Sequence, residues 1–245
     1  MTPTDALKTK LEEVRERIRR ACERAGRPAS SVTLIGVTKQ VPIEVMREAV
    51  ALGLTDLGEN RIQEAREKQR GLGWGLGVQG KGPEPRTLNP ERPVRWHLIG
   101  HLQRNKAKSA VELFDVIHSV DSSELAEALN RHAATRVQGS ELGAQSSARR
   151  IEVFIQVNVA GEATKFGCAP DDVSTLAETV RSLPHVQLRG LMTIAPFTED
   201  PETVRPVFRQ LRALRNDVTR QLSTGPLRHR ATPPLQLSMG MSHDV

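Results

Sequence analysis

Apolar positions along the chain change period several times, and each change marks an element. Near the N-terminus Leu7, Leu11, Val14, Ile18 and Ala21 recur at helical spacing, with Thr4 or Asp5 as the expected N-cap and Gly26 as the stop. The run TLIGVTKQVP that follows from Thr33 is different. Leu34, Ile35 and Val37 form a short apolar, β-branched run bounded by Pro42, which predicts a strand buried on both faces, with Lys39 at its C-terminal end. From there strand and helix patterns alternate. Strands are predicted over 32–38, 55–58, 94–99, 115–120, 151–159, 186–194 and 235–239, and helices over 42–53, 60–70, 103–113, 122–135, 170–183 and 201–222.

Parallel strands need crossovers, and a helix between each pair of strands supplies one, so the alternation predicts a parallel sheet with helices outside it. VFIQVNV and LRGLMTI are apolar at nearly every residue, as strands covered on both faces are. The first strand–helix turn lacks the GxGxxG of a dinucleotide-binding sheet. The expected fold class is therefore α/β, a (β/α)8-type TIM barrel preceded by an extra N-terminal helix. Two stretches break the rhythm: 71–93 is rich in Gly and Pro, and 136–150 is small and polar. Both read as surface insertions in a single domain spanning 1–245.

Composition narrows the function classes. Of the 245 residues 38% are hydrophobic and 26% charged, which argues against disorder. The net charge of +6 raises an anionic partner, but the chain has no Tyr, and its five Phe and two Trp are scattered instead of interleaved with basic residues. Nucleic acid is accordingly not the favoured partner. Cys22 and Cys168 cannot build a disulfide framework, and no Cys/His spacing suggests a metal, so a reducing compartment is expected. The N-terminus carries no uninterrupted apolar run, and no segment approaches the ~20 apolar residues of a membrane span. A cytoplasmic protein without a membrane partner is the reading.

In a barrel of this kind the chemistry lies at the C-terminal ends of the strands. Polar groups stand there repeatedly: Lys39; Glu59 and Asn60 in GEN; His97 and His101 in WHLIGHLQRNK; Asn158, Glu162 and Lys165 in QVNVAGEATKFG; Ser238, Gly240 and Ser242 in SMGMSHD. Each has a plainer reading too. Lys39 can mark a strand exit, Asn60 can cap the next helix, His97 can be a hydrogen-bonded core histidine, and Asn105 and Lys106 can be ordinary first-turn residues. Glu162 and Lys165 can be a solvated pair. Small hydroxyl residues beside Gly240 let backbone N–H groups approach an anion closely, although the same letters make an ordinary turn.

Taken in order, VTK at Lys39, GENRIQEAREK from Gly58, WHLIGHLQRNK from Trp96, SVDS from Ser119, QVNVAGEATKFG from Gln156, LRGLMTI from Leu188 and LSMGMSHD from Leu237 resemble the pyridoxal-phosphate homeostasis protein family. The resemblance implies a single-domain relative of the alanine racemase barrel that holds pyridoxal 5'-phosphate (PLP) as an internal aldimine. Its implied role is intracellular PLP homeostasis, as carrier or buffer, without robust catalysis of its own; a PLP-dependent racemase or decarboxylase is the alternative. Residue by residue, it implies that Lys39 forms the imine, that Asn60 lies near the cofactor ring, and that Ser242, with Ser238 and the Gly240 backbone, holds the phosphate. It implies no metal and no catalytic residue, a monomer, and apo forms of PLP enzymes as candidate recipients. For His97 it implies no role. Relative to the family, 71–93 is long, and the sequence stops after the seventh strand, without the eighth strand and its Thr-x-Val-Arg-Ile-Gly motif. Weaker PLP binding is the expectation that follows.

Overall fold

A computed structural model describes residues 3–73, 94–138, 150–162, 165–196, 198, 200–224 and 234–241. Most of the two predicted insertions, together with Ser242, lies outside the described residues. The order of elements is α1 (Pro3–Arg24), β1 (Ile35–Val37), α2 (Ile43–Ala51), β2 (Asp56–Glu59), α3 (Ile62–Leu72), β3 (Arg95–Leu98), α4 (Ala107–Leu113), β4 (Val116–Val120), α5 (Ser123–Gln138), β5 (Ile151–Gln156), α6 (Val173–Ser182), β6 (Val186–Ala195), α7 (Pro201–Thr224) and β7 (Gln236–Met241). The strands run in sheet order from β1 to β7. Pairing is parallel for β1 with β2, β4 with β5, β5 with β6 and β6 with β7. The chain clusters into two compact units, Met1–His97 and Leu98–Val245.

In the first unit α1 starts earlier than expected. Thr4 and Asp5 lie inside its first turn, where Asp5 faces the positive end of the helix dipole. Gly26 adopts a left-handed φ of 62° just past the helix end, as a stop should. Arg15 of α1 donates to the Leu52 and Gly53 carbonyls at the end of α2, at 3.1 and 3.0 Å, and satisfies acceptors that the helix itself cannot. β1 corrects the expectation of a strand covered on both faces. It is three residues long, and Val37 is 49% exposed, because β1 stands at one end of the sheet order and has one strand neighbour instead of two.

In the second unit β4, β5 and β6 are almost wholly buried, with Ile117, Ile155 and Leu191 fully so. Gly190 lets β6 lie against β7: a Cβ there would stand 1.9 Å from the Gln236 carbonyl oxygen. The helices predicted over 103–113 and 170–183 each begin as a tight three-residue turn, Arg104–Lys106 and Pro170–Asp172, before α4 and α6 take over. β5 stops at Gln156, three residues short of the prediction. Beyond it Val157 bridges Cys168, and the chain turns outward.

Candidate functional site

β1 ends at Val37, and the next four residues make a turn in which the Val41 N–H donates to the Thr38 carbonyl at 3.0 Å. Lys39 and Gln40 are its two central residues. Gln40 has φ 59°, the only positive φ outside glycine among the described residues, which is the mark of a type II turn occupied by a residue other than the favoured Gly or Asn. The β1–β2 register pairs Val37 with Gly58, and the Thr38 N–H donates to the Gly58 carbonyl at 2.9 Å, so Lys39 and Asn60 each follow directly on the last contact between the two strands. Both side chains are half-buried, and among the described residues neither makes a side-chain hydrogen bond or ion pair. Asn60 does not cap α3. The N-cap is Arg61, which makes no side-chain cap bond either.

Other lysines near strand ends are committed. Lys68 of α3, only 7% exposed, donates to Glu59 Oε1 at 2.8 Å, to Glu64 Oε1 at 2.6 Å and to the Thr38 carbonyl. Lys165 pairs with Glu162 at 3.0 Å at a half-exposed site, as the solvated-pair reading expects. Glu59 is fully buried; it accepts the Thr38 hydroxyl at 2.6 Å on the oxygen that also takes Lys68, while Oε2 has no partner among the described residues. Burial pushes the Glu59 carboxyl above its ordinary value, despite the hydrogen bonds from Lys68 and Thr38. Glu64 goes the other way: burial raises it, but Lys68 and the Gln40 N–H together outweigh burial and hold it below the usual carboxylate value.

His97 proves to be a satisfied core histidine. It is buried, with Nε2 2.9 Å from Asp56 Oδ1, and Thr55 donates to the other carboxylate oxygen at 2.8 Å. Burial raises the Asp56 carboxyl, yet His97 and Thr55, helped by the charge of Arg95, bring it below its ordinary value. An ionised Asp56 places the proton on Nε2 of His97.

In the second unit His101 stacks on Phe166 with ring centroids 3.7 Å apart and lies 3.8 Å from Asp121. Asn158 organises the loop after β5: its amide donates to the Glu162 and Lys165 carbonyls at 2.8 and 3.3 Å and accepts from the Glu162 N–H. Ser238 of β7 has a partner that sequence reasoning missed. His118 of β4 lies 2.8 Å from its hydroxyl through Nδ1, is itself buried, and stacks on Phe154 of β5 at 4.5 Å. The alternation in VIHSV places His118 and Val116 on one face, so the sequence carried part of the signal. The choice of Ser238 as partner comes from the register of β6 and β7, which sets Ser238 beside Met192 in the same cluster as Val116 and Phe154. At Gly240 an added Cβ would meet nothing within 4 Å, so the space over its backbone is open.

Residues 9–245 match the family described as alanine racemase, N-terminal domain. A pyridoxal phosphate homeostasis protein of Aquifex aeolicus is 40% identical over 96% of this chain and 87% of its own length, and one of Pseudomonas aeruginosa is 37% identical over 96% and 85%. The chain belongs to this family of pyridoxal phosphate homeostasis proteins, within the alanine racemase N-terminal domain fold. The structure of PipY from Synechococcus elongatus with PLP bound is 36% identical, with a TM-score of 0.65 over 92% of this chain and 89% of that one. The expected α/β barrel class is thus the fold of this chain. No described helix is long and apolar enough to cross a membrane.

Proposed function

We propose that this protein binds PLP through Lys39 and holds it in the cytoplasm as a carrier or buffer within one barrel domain, without robust turnover of its own. The observation that carries the reading is the uncommitted amine: Lys68 and Lys165 are engaged with carboxylates, whereas Lys39 stands half-buried on a fixed turn with its ammonium group unpartnered among the described residues. PLP, when bound, supplies an aldehyde carbon open to attack by a lysine amine. The half-buried Asn60 amide at the end of β2, unpartnered among the described residues, offers both a donor and an acceptor to a polar ring. The names of the relatives, and PLP in PipY, support the ligand and the storage role.

Ser242, Ser238 and the Gly240 backbone are the proposed phosphate contacts, on the match of SMGMSHD to the family. A phosphate oxygen accepts, so Ser238 can serve it only with its proton free. That requires His118 to donate from Nδ1 to the Ser238 oxygen instead of accepting from it. His118 therefore sets the hydroxyl's direction. Acting as a monomer and passing PLP to apo enzymes completes the proposal.

The test is absorbance of the purified chain titrated with PLP, then borohydride reduction and peptide mapping. The pyridoxyl mass increment should fall on the peptide containing Lys39, and Lys39→Ala should abolish the reducible chromophore. An unchanged chromophore in that variant would refute the assignment.

A further inference from the structure

The turn that carries Lys39 is held from both sides by groups that make no hydrogen bond or ion pair with the Lys39 side chain. On one side Thr38 is tied three ways: its N–H to the Gly58 carbonyl at 2.9 Å, its hydroxyl to Glu59 at 2.6 Å, and its carbonyl to the Lys68 ammonium. On the other side the Gln40 N–H donates to Glu64 Oε1 at 2.5 Å. The same Glu64 oxygen receives Lys68 at 2.6 Å. Glu64 and Lys68 are one helical turn apart on α3, so a single face of that helix grips the residues immediately before and after Lys39.

We infer that Glu64 and Lys68 are positioning residues for Lys39, fixing the Thr38–Val41 turn so that its amine is presented to the cofactor in one orientation. The inference rests on Lys39 being the lysine that binds PLP. Gln40 is the reason a grip is needed. A non-glycine residue at φ 59° leaves the left-handed region readily unless something holds it, and the hydrogen bond to Glu64 is placed to do so. The network pairs its own charges, Lys68 with Glu59 and Glu64, and in addition directs one bond to the backbone of residue 38 and one to that of residue 40. The spacing in GENRIQEAREK follows from the task. Glu59 ends the neighbouring strand, and Glu64 and Lys68 recur at i and i+4 on the helix that starts beside it.

The experiment compares PLP affinity, by absorbance titration, with hydrogen exchange at the Gln40 amide in Glu64→Ala, Glu64→Gln and the double variant Gln40→Gly/Glu64→Ala. Alanine removes the acceptor, so Gln40 exchange should quicken. If the turn then spends about a tenth of its time in the competent form, PLP affinity falls about tenfold, because apparent affinity scales with the competent fraction. Glutamine keeps an acceptor oxygen and should stay within about threefold of the native chain by the same relation. Glycine takes the left-handed φ without a steric penalty, so the double variant should regain most of the lost affinity. A merely structural role for Glu64 would not be rescued by glycine at a different residue. Should Glu64→Ala fail to fold, Glu64→Asp, which keeps a carboxylate on α3 but draws its oxygen back from the Gln40 N–H and from Lys68 alike, should show faster exchange and weaker binding. Native affinity and native Gln40 exchange in the folded alanine or aspartate variant, or no rescue by glycine, overturns the inference. Borohydride labelling away from Lys39 in the native chain is a different result, and it sinks the underlying reading.

Discussion

Replacing Lys68 by Met tests the buried charge arrangement beneath Lys39. The substitution keeps an unbranched side chain of good helical propensity and removes the ammonium from three acceptors: Glu59, Glu64 and the Thr38 carbonyl. Glu64 is partly open to solvent, but Glu59 is fully buried and would keep the Thr38 hydroxyl as its only partner among the described residues. Breaking a buried pair from one side typically costs about 3–5 kcal/mol. Here the loss has a ceiling, because Glu59 can take up a proton instead. From the ordinary value of 4.5, protonation at pH 7.5 costs at most about 4 kcal/mol, and at pH 5 about 0.7 kcal/mol, at ~1.4 kcal/mol per pH unit. A carboxyl whose folded-state pKa is raised destabilises the fold fully above that value, and the effect fades as pH falls toward its unfolded value. Losing Lys68 raises the folded value further. Lys68→Met should therefore lose about 3–4 kcal/mol at pH 7.5, and no more than about 0.7 kcal/mol through Glu59 at pH 5. For a chain of this size that is roughly 6–16 °C in Tm at the higher pH. Urea or thermal unfolding at both pH values reads it directly, with Glu59→Gln/Lys68→Met as the companion that should lose the pH dependence. A deficit under about 1 kcal/mol at pH 7.5, or one that does not change with pH, would mean that Glu59 is not a charge held by Lys68.

Two further predictions concern the second unit. Gly190→Ala puts a Cβ 1.9 Å from a backbone oxygen that cannot step aside without separating β6 from β7. The loss should reach the upper end of the usual overpacking range, about 3 kcal/mol, and a native unfolding midpoint would refute the close strand contact. For Cys168, burial above all, with the charges of Asp172 and Asp121, pushes the thiol up to about 12. At pH 8 roughly one molecule in ten thousand then carries the thiolate, so the folded protein should resist thiol reagents at this site; stoichiometric modification of Cys168 within minutes, located by mass spectrometry, would count against it.

The sequence by itself determined the alternation of strands and helices, because period-2 and period-3.6 patterns and continuous apolar runs are local consequences of how each element buries its faces. Element by element the agreement is close, as at β2, β4 and β6; the differences lie at ends, where capping and tight turns decide, as in the three-residue turns before α4 and α6. Family motifs singled out Lys39 and Asn60 for the same reason of locality: each stands just past the end of a predicted strand. What tertiary structure alone decided is which polar groups are free. His97 and Lys39 looked alike as charged or titratable residues at strand ends, yet Asp56 claims His97, while Lys68, 29 positions on from Lys39, takes up the nearby carboxylates and leaves Lys39 without an ionic partner among the described residues. Likewise no local pattern joins His118 to Ser238, 120 residues apart. Buried polar groups must be satisfied by whatever the packing brings within about 3 Å, and sheet register and helix placement, rather than local sequence, set those distances.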